Sequence, residues 1–112
     1  MTIDQRIKGA IEPIVSACVP HTYGGTDKVY CTYNYSVSGR LWGDDSPIID
    51  ICLIQLHLFL PPGRDPKAYR WPIRRALLLA GFTWPDMADV SDADYQHYVF
   101  EFQLEEGACS DG

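Results

Sequence analysis

No lysine or arginine follows Arg75, although eight acidic residues do. All nine bases lie among residues 1–75 beside seven acids, and the formal net charge of the 112 residues is −6. A chain of that sign is a poor dedicated nucleic-acid binder, because such affinity comes mostly from neutralising phosphates. No specific nucleic-acid binding is expected. Long apolar runs are also missing. The longest, Ile51 to Leu60, is broken by Gln55 and His57 and is far too short for a bilayer span. The start, Met1-Thr-Ile-Asp-Gln-Arg, is polar and leads into no apolar signal region. A non-membrane protein is expected. Cys18, Cys31, Cys52 and Cys109 make no CxxC pair, and Cys31 and Cys52 fall inside strand-like apolar stretches. That is the usage of buried free thiols in a reducing cytoplasm, not of a secreted disulfide framework.

Catalytic templates are missing too. There is no glycine-rich phosphate loop with a following lysine, no GxSxG and no HExxH. His21, His57 and His97 fall on different elements with no carboxylate or cysteine at ligand spacing, and Cys18 with His21 is at most half of a zinc site. His57, on an apolar strand face, reads as a satisfied core or interface group. The acidic turn Asp86, Asp89, Asp92, Asp94 lacks the glycine and terminal glutamate of an EF-hand loop. No catalytic residue, metal or cofactor is expected, and the chain reads as a non-enzyme.

What is present is a folded domain: 46% apolar and 12% aromatic residues, enough for one core over residues 1–112 with a frayed tail at about 106–112. Ile3, Ile7, Ile11, Ile14 and Val15 repeat at helical spacing behind Thr2 as N-cap, with Pro13 near the end. From Val29 to Val37 the period is two, predicting a strand. Residues 38–47 read as a turn-rich loop. Ile48 to Leu60 predicts a long central strand covered on much of both sides. Asp65-Pro66 starts a second helix through Tyr69, Ile73, Leu77 and Ala80 that Gly81 closes; Pro72 leaves a later start at Trp71-Pro72 open. Phe82 to Trp84 begins a short third strand, and Tyr98, Phe100, Phe102 and Leu104 mark a fourth. The expected fold is α+β in the order α-β-β-α-β-β: a mostly antiparallel four-stranded sheet with helices packed on one face.

Two surfaces stand out. Arg64, Lys67, Arg70, Arg74 and Arg75 gather on and before the second helix, upstream of the acidic end of the chain. Opposite patches on different faces of one subunit favour head-to-tail association into rings. Trp42 sits at the predicted hairpin tip with Arg40, Leu41, Asp44 and Asp45, either folded back over the sheet or anchoring a partner. Trp71 and Trp84 are expected to cover core. The candidate interface is therefore Arg40, Leu41, Trp42, Asp44, Asp45, Arg64, Lys67, Arg70, Arg74 and Arg75.

The succession of a leading amphipathic helix, Tyr30-Cys-Thr-Tyr33, a loop carrying Asp44-Asp45, the strand Ile48–Leu60, a helix ending Leu77-Leu-Leu-Ala-Gly81-Phe82 and the strand His97-Tyr-Val-Phe-Glu101-Phe102 resembles the small tail-completion or tail-terminator proteins of long-tailed bacteriophages. It extends over roughly residues 3–105. The resemblance implies an α+β structural protein that forms a hexameric ring in the virion, capping the tail tube and joining it to the head-completion proteins of the connector. It implies no catalytic residues. The prolines of Pro61–Pro72 depart from a typical member. In such a ring Asp86, Asp89, Asp92, Asp94, Glu101 and Glu105 would face the lumen, where like charge keeps passing DNA from sticking. The protein would be made in the bacterial host cytoplasm and reside at the head–tail interface of the virion. The alternative is a small metal-binding enzyme or a protein-binding adaptor domain using the acidic turn 86–94.

Overall fold

The computed structural model describes residues 2–43 and 46–105, with the side chains of 39–49 and 105 left outside the description. The first helix, α1, covers Ile3–Ile11. Its start is a capping box: Thr2 Oγ1 accepts the Gln5 N–H at 3.1 Å, and Gln5 Oε1 accepts the Thr2 N–H at 2.9 Å. Ile3, Ile7 and Ile11 form its buried face. The helix stops before Pro13, which cannot donate into the next turn, so Ile14 and Val15 follow in a turn.

Five strands follow: β1 (Cys18–Pro20), β2 (Tyr30–Gly43), β3 (Ser46–Leu60), β4 (Asp86–Asp89) and β5 (Gln96–Glu105), in spatial order β1-β2-β3-β5-β4. The second helix, α2, is Lys67–Leu79. The α+β class is as expected, but the sheet has five strands and is mixed, because β1 lies parallel to β2. Three residues are too few to show a period, and Pro20 reads as a breaker when it in fact occupies an edge strand, where no ladder donor is required. Hydrogen bonds from Cys31 N–H to the Ala17 carbonyl and from His21 N–H to the Tyr33 carbonyl fix β1 in place.

Two further departures concern strand limits. Residues 38–47 are not a loop: β2 and β3 stay paired out to Gly43 opposite Ser46, with register shifts between Gly39 and Leu41 and between Leu41 and Trp42. Those irregularities accommodate turn-type residues inside a continuous ribbon. The third predicted strand lies further along. Phe82 is buried in the core, Thr83 N–H bonds the Gln103 carbonyl singly, and the regular ladder with β5 begins only after the buried Pro85. Asp86 and Asp89 thus belong to β4, with Asp92 and Asp94 in the loop that follows.

The core fills the space between the two helices and one sheet face. Cys52, Ile54, Leu56, Leu58 and Leu60 of β3, with Tyr98, Phe100, Phe102 and Leu104 of β5, meet Ile3, Ile7, Ile11, Ile73 and Leu77. Both helices therefore lie on one side. The opposite face of β3, from Ile51 through Leu53, Gln55 and His57 to Phe59, is only half-buried. The strand is central but covered on one side, contrary to the sequence reading; apolar residues on both faces do not bring a second layer with them. Cys18 and Cys31 are free and buried, and burial drives both thiols up, Cys18 to about 12, so neither is a thiolate at neutral pH. Cys52 is disulfide-bonded, so the expectation of reduced thiols throughout does not hold for it.

α2 begins where Asp65 Oδ1 accepts the Lys67 N–H at 3.0 Å, and Pro72 lies inside the helix. The earlier of the two possible starts is the observed one. It ends in a Schellman motif: Phe82 N–H reaches the Leu77 carbonyl, Gly81 N–H reaches that of Leu78, and Gly81 has φ 101°.

Candidate functional site

The basic stretch is one surface in sequence but divides in space. Arg74 Nε donates to the Pro85 carbonyl at 3.0 Å, and its guanidinium lies 4.7 Å above the Trp84 ring. The Asp89 carboxyl is held below its ordinary range by hydrogen bonds from Ser91, with a further contribution from the Arg70 charge. Arg64 donates to the Tyr69 hydroxyl at 3.0 Å. Arg70 and Arg74 thus lean toward their own chain's acidic edge, so the basic and acidic patches adjoin rather than occupying separate faces. Lys67 and Arg75 are exposed.

Trp71 and Trp84 do not cover core. They are 58% and 37% exposed and meet edge-on at 5.2 Å. Leu78 and Leu79 are exposed on the same helix, at 46% and 74%. Trp71, Arg75 and Leu78 fall at i, i+4 and i+7, one stripe on the outside of α2. Reading the tryptophans as core hides that apolar stripe; the extra leucines in the run Leu77-Leu-Leu are the signal in the sequence that points to it.

The ribbon is the second surface. Beyond Tyr33, β2 has no partner but β3 among the described residues, and β3 pairs with β5 only from Ile51 to Leu60. Among the described residues, 39–43 and 46–50 therefore pair only with each other and project from the body of a molecule measuring 54 × 25 × 25 Å. The backbones of Arg40, Leu41 and Trp42 lie there; their side chains, and Asp44 and Asp45 entirely, fall outside the described residues.

The acidic residues have mixed roles. Asp92 Oδ1 accepts the N–H groups of Asp94 and Tyr95, which keep its carboxyl below the ordinary range, and Asp89 does the same for Ser91. These two are turn-formers. Asp86 stands directly opposite Glu101, a like-charge pair on exposed strand positions. The Glu105 side chain lies outside the described residues, and so does the expected frayed tail, 106–112.

The sheet face away from the helices carries a row of rings. Tyr30, Phe59 and His97 are direct partners across β2, β3 and β5. Tyr23 stacks on Tyr30 at 4.7 Å, Tyr30 on Phe59 at 4.7 Å, and Phe59 on His97 at 4.2 Å. His57 Nδ1 lies 2.8 Å from His97 Nε2. Desolvation lowers the pKa of both rings, reinforced at His57 by His97 and opposed at His97 by Asp92. Sequence spacing keeps these histidines apart; only strand register brings them together. No group of three or more metal-type side chains is placed to hold an ion among the described residues, and no helix there is long and apolar enough to cross a membrane.

A scan against protein-family models finds no match for this chain, and a search of curated proteins finds no relative.

Proposed function

We propose that the chain is a structural virion protein of a tailed phage, a tail-completion or terminator subunit that joins the tail tube to the head connector. The observation that carries this reading is the projecting ribbon. A two-stranded ribbon is marginal in water when it stands alone, and its outer edges, unpaired among the described residues, invite another chain. Such an arm gains its stability against a neighbour. The resemblance in element order names the neighbours: other copies in a ring, hexameric in the virion, together with the tail tube protein and a head-completion protein. The exposed Trp71, Leu78 and Leu79 on α2 offer a second contact of the apolar kind that assembly covers. The acidic positions Asp86 and Glu101 suit a lumen through which DNA passes without being held. In this reading the protein has no catalytic role, is made in the host cytoplasm and works at the head–tail interface.

Electron microscopy of particles produced without the protein tests this. Unjoined heads and abnormal tails are expected; intact virions would sink the idea. A second reading draws on the outer edge of β4, exposed and unpaired among the described residues, where an adaptor would accept a partner strand. Sequencing the genes on either side separates the two: portal, capsid and tail genes there would favour the virion role, and their absence the adaptor.

A further inference from the structure

We propose that His57 and His97 together form a binding site for a divalent transition-metal ion of the borderline class, with Cu²⁺ as the best match. The two side chains come from neighbouring strands. The register sets His97 opposite Phe59 and His57 opposite Val99, so the histidines are diagonal neighbours on the face that no helix covers. Their nearest nitrogens, His57 Nδ1 and His97 Nε2, are 2.8 Å apart.

That separation discriminates among ions. Two imidazole nitrogens bound at about 2.0 Å on adjacent corners of a square lie about 2.8 Å apart, whereas tetrahedral zinc at the same bond length holds them at about 3.3 Å. The hydrogen bond sets that 2.8 Å, so any ion must first turn the rings until their lone pairs converge; a square-planar ion then needs no change in separation, whereas zinc needs about half an ångström more. Imidazole donors and tetragonal geometry are the preferences of Cu²⁺ and, after it, Ni²⁺; Cu²⁺ also heads the affinity order for such donors.

Neighbouring rings restrict the two histidines. Phe59 stacks on His97 at 4.2 Å with an interplanar angle of 21°, and lies nearly parallel to His57 at 6.4 Å. Tyr30 backs Phe59 from the far side. Side chains already fixed lose little rotamer freedom on binding. The Asp92 charge also acts on His97 and favours positive charge there.

Without metal, one ring donates an N–H and the other accepts it. When the ion binds, that hydrogen bond breaks and the donor ring carries its proton on its other nitrogen, leaving both facing lone pairs for the ion. Two metal–nitrogen bonds replace two metal–water bonds, and the remaining corners keep water. Electron count and net proton count are unchanged.

The test is calorimetric titration of the chelator-treated full chain at pH 7.5 with Cu²⁺, Ni²⁺ and Zn²⁺, with electron paramagnetic resonance of the copper form. One Cu²⁺ per chain is expected, bound more tightly than the other two ions and showing coupling to two nitrogens. His57→Ala and His97→Gln should each weaken it about tenfold or more, and His21→Ala should leave it unchanged. Circular dichroism confirms that each variant is folded; His57→Asn serves where His57→Ala is not. Absence of binding, binding unmoved by both substitutions, or a preference for zinc would overturn the proposal.

Discussion

Arg6 ties the two helices together and is an uneasy residue. Its Nη1 donates to the Ala80 carbonyl at 3.0 Å, at the end of α2 where free carbonyls and the helix dipole favour a cation. Its Nε is buried without a hydrogen-bond partner. The charged hydrogen bond contributes about 1.5–3 kcal/mol, and the orphaned Nε costs about 1–3 kcal/mol, so the two offset. Arg6→Ala also removes the packed stem and should cost about 1–2 kcal/mol in urea unfolding, whereas Arg6→Met keeps the stem and should cost less than half of that. Equal losses would show that the stem is irrelevant. His57 and His97 supply the pH dependence at this scale. Their folded pKa values lie below the ordinary 6.5, so the unfolded chain binds more protons just below that pH. Stability is therefore full above about pH 6.5 and falls as pH drops toward the folded values. The Asp92 charge opposes this at His97. Urea midpoints between pH 7.5 and 5 in chelator should show the decline, and His57→Gln should flatten it. Asp89 and Asp92 titrate below their ordinary range and do not enter that window.

At the scale of elements, α2 contains its own weakness. Pro72 has no N–H for the Ala68 carbonyl, and its ring crowds the preceding turn. Pro72→Ala should raise stability by about 1–2 kcal/mol, the helix gain reduced by the greater freedom of the unfolded chain. A calorimetric melt measures it, and an unchanged or lower midpoint would mean that the proline is fully accommodated. Elements with many residues in period are legible in the sequence: Ile3, Ile7 and Ile11 give α1, the alternation of Cys52 to Leu60 gives β3, and Tyr98 to Leu104 gives β5. β1 is not, because three residues hold no period. The outer ribbon is not, because Gly39, Gly43 and Ser46 are turn formers that a bulged antiparallel pair tolerates. The candidate surfaces are legible as composition only. That Arg70 and Arg74 lean on their own chain, and that His57 reaches His97, depends on which strands are neighbours, which is non-local information.

For the whole molecule the question is what the ribbon and the helix stripe are for. Among the described residues the core lies between the helices and one sheet face, with Tyr35 and Cys52 as its members nearest the ribbon. Shortening the ribbon leaves all of those residues in place. Gly39 and Asp50 are paired, so replacing residues 40–49 by Asn-Gly closes the hairpin with a two-residue turn in the same register. The shortened chain should melt within a few degrees of the parent. If the arm is a contact between subunits or with the tail tube, the shortened chain should fail to form rings and fail to bind tubes in size-exclusion chromatography with light scattering. Charge reversal separates the second surface from the first. Arg70 and Arg74 are poor choices, since reversing them disturbs the chain's own acidic edge. Lys67→Glu with Arg75→Glu changes exposed positions alone. That pair should weaken association in a salt-dependent way if the outside of α2 meets an acidic neighbour. Rings that form normally from both variants would leave neither surface a role in assembly.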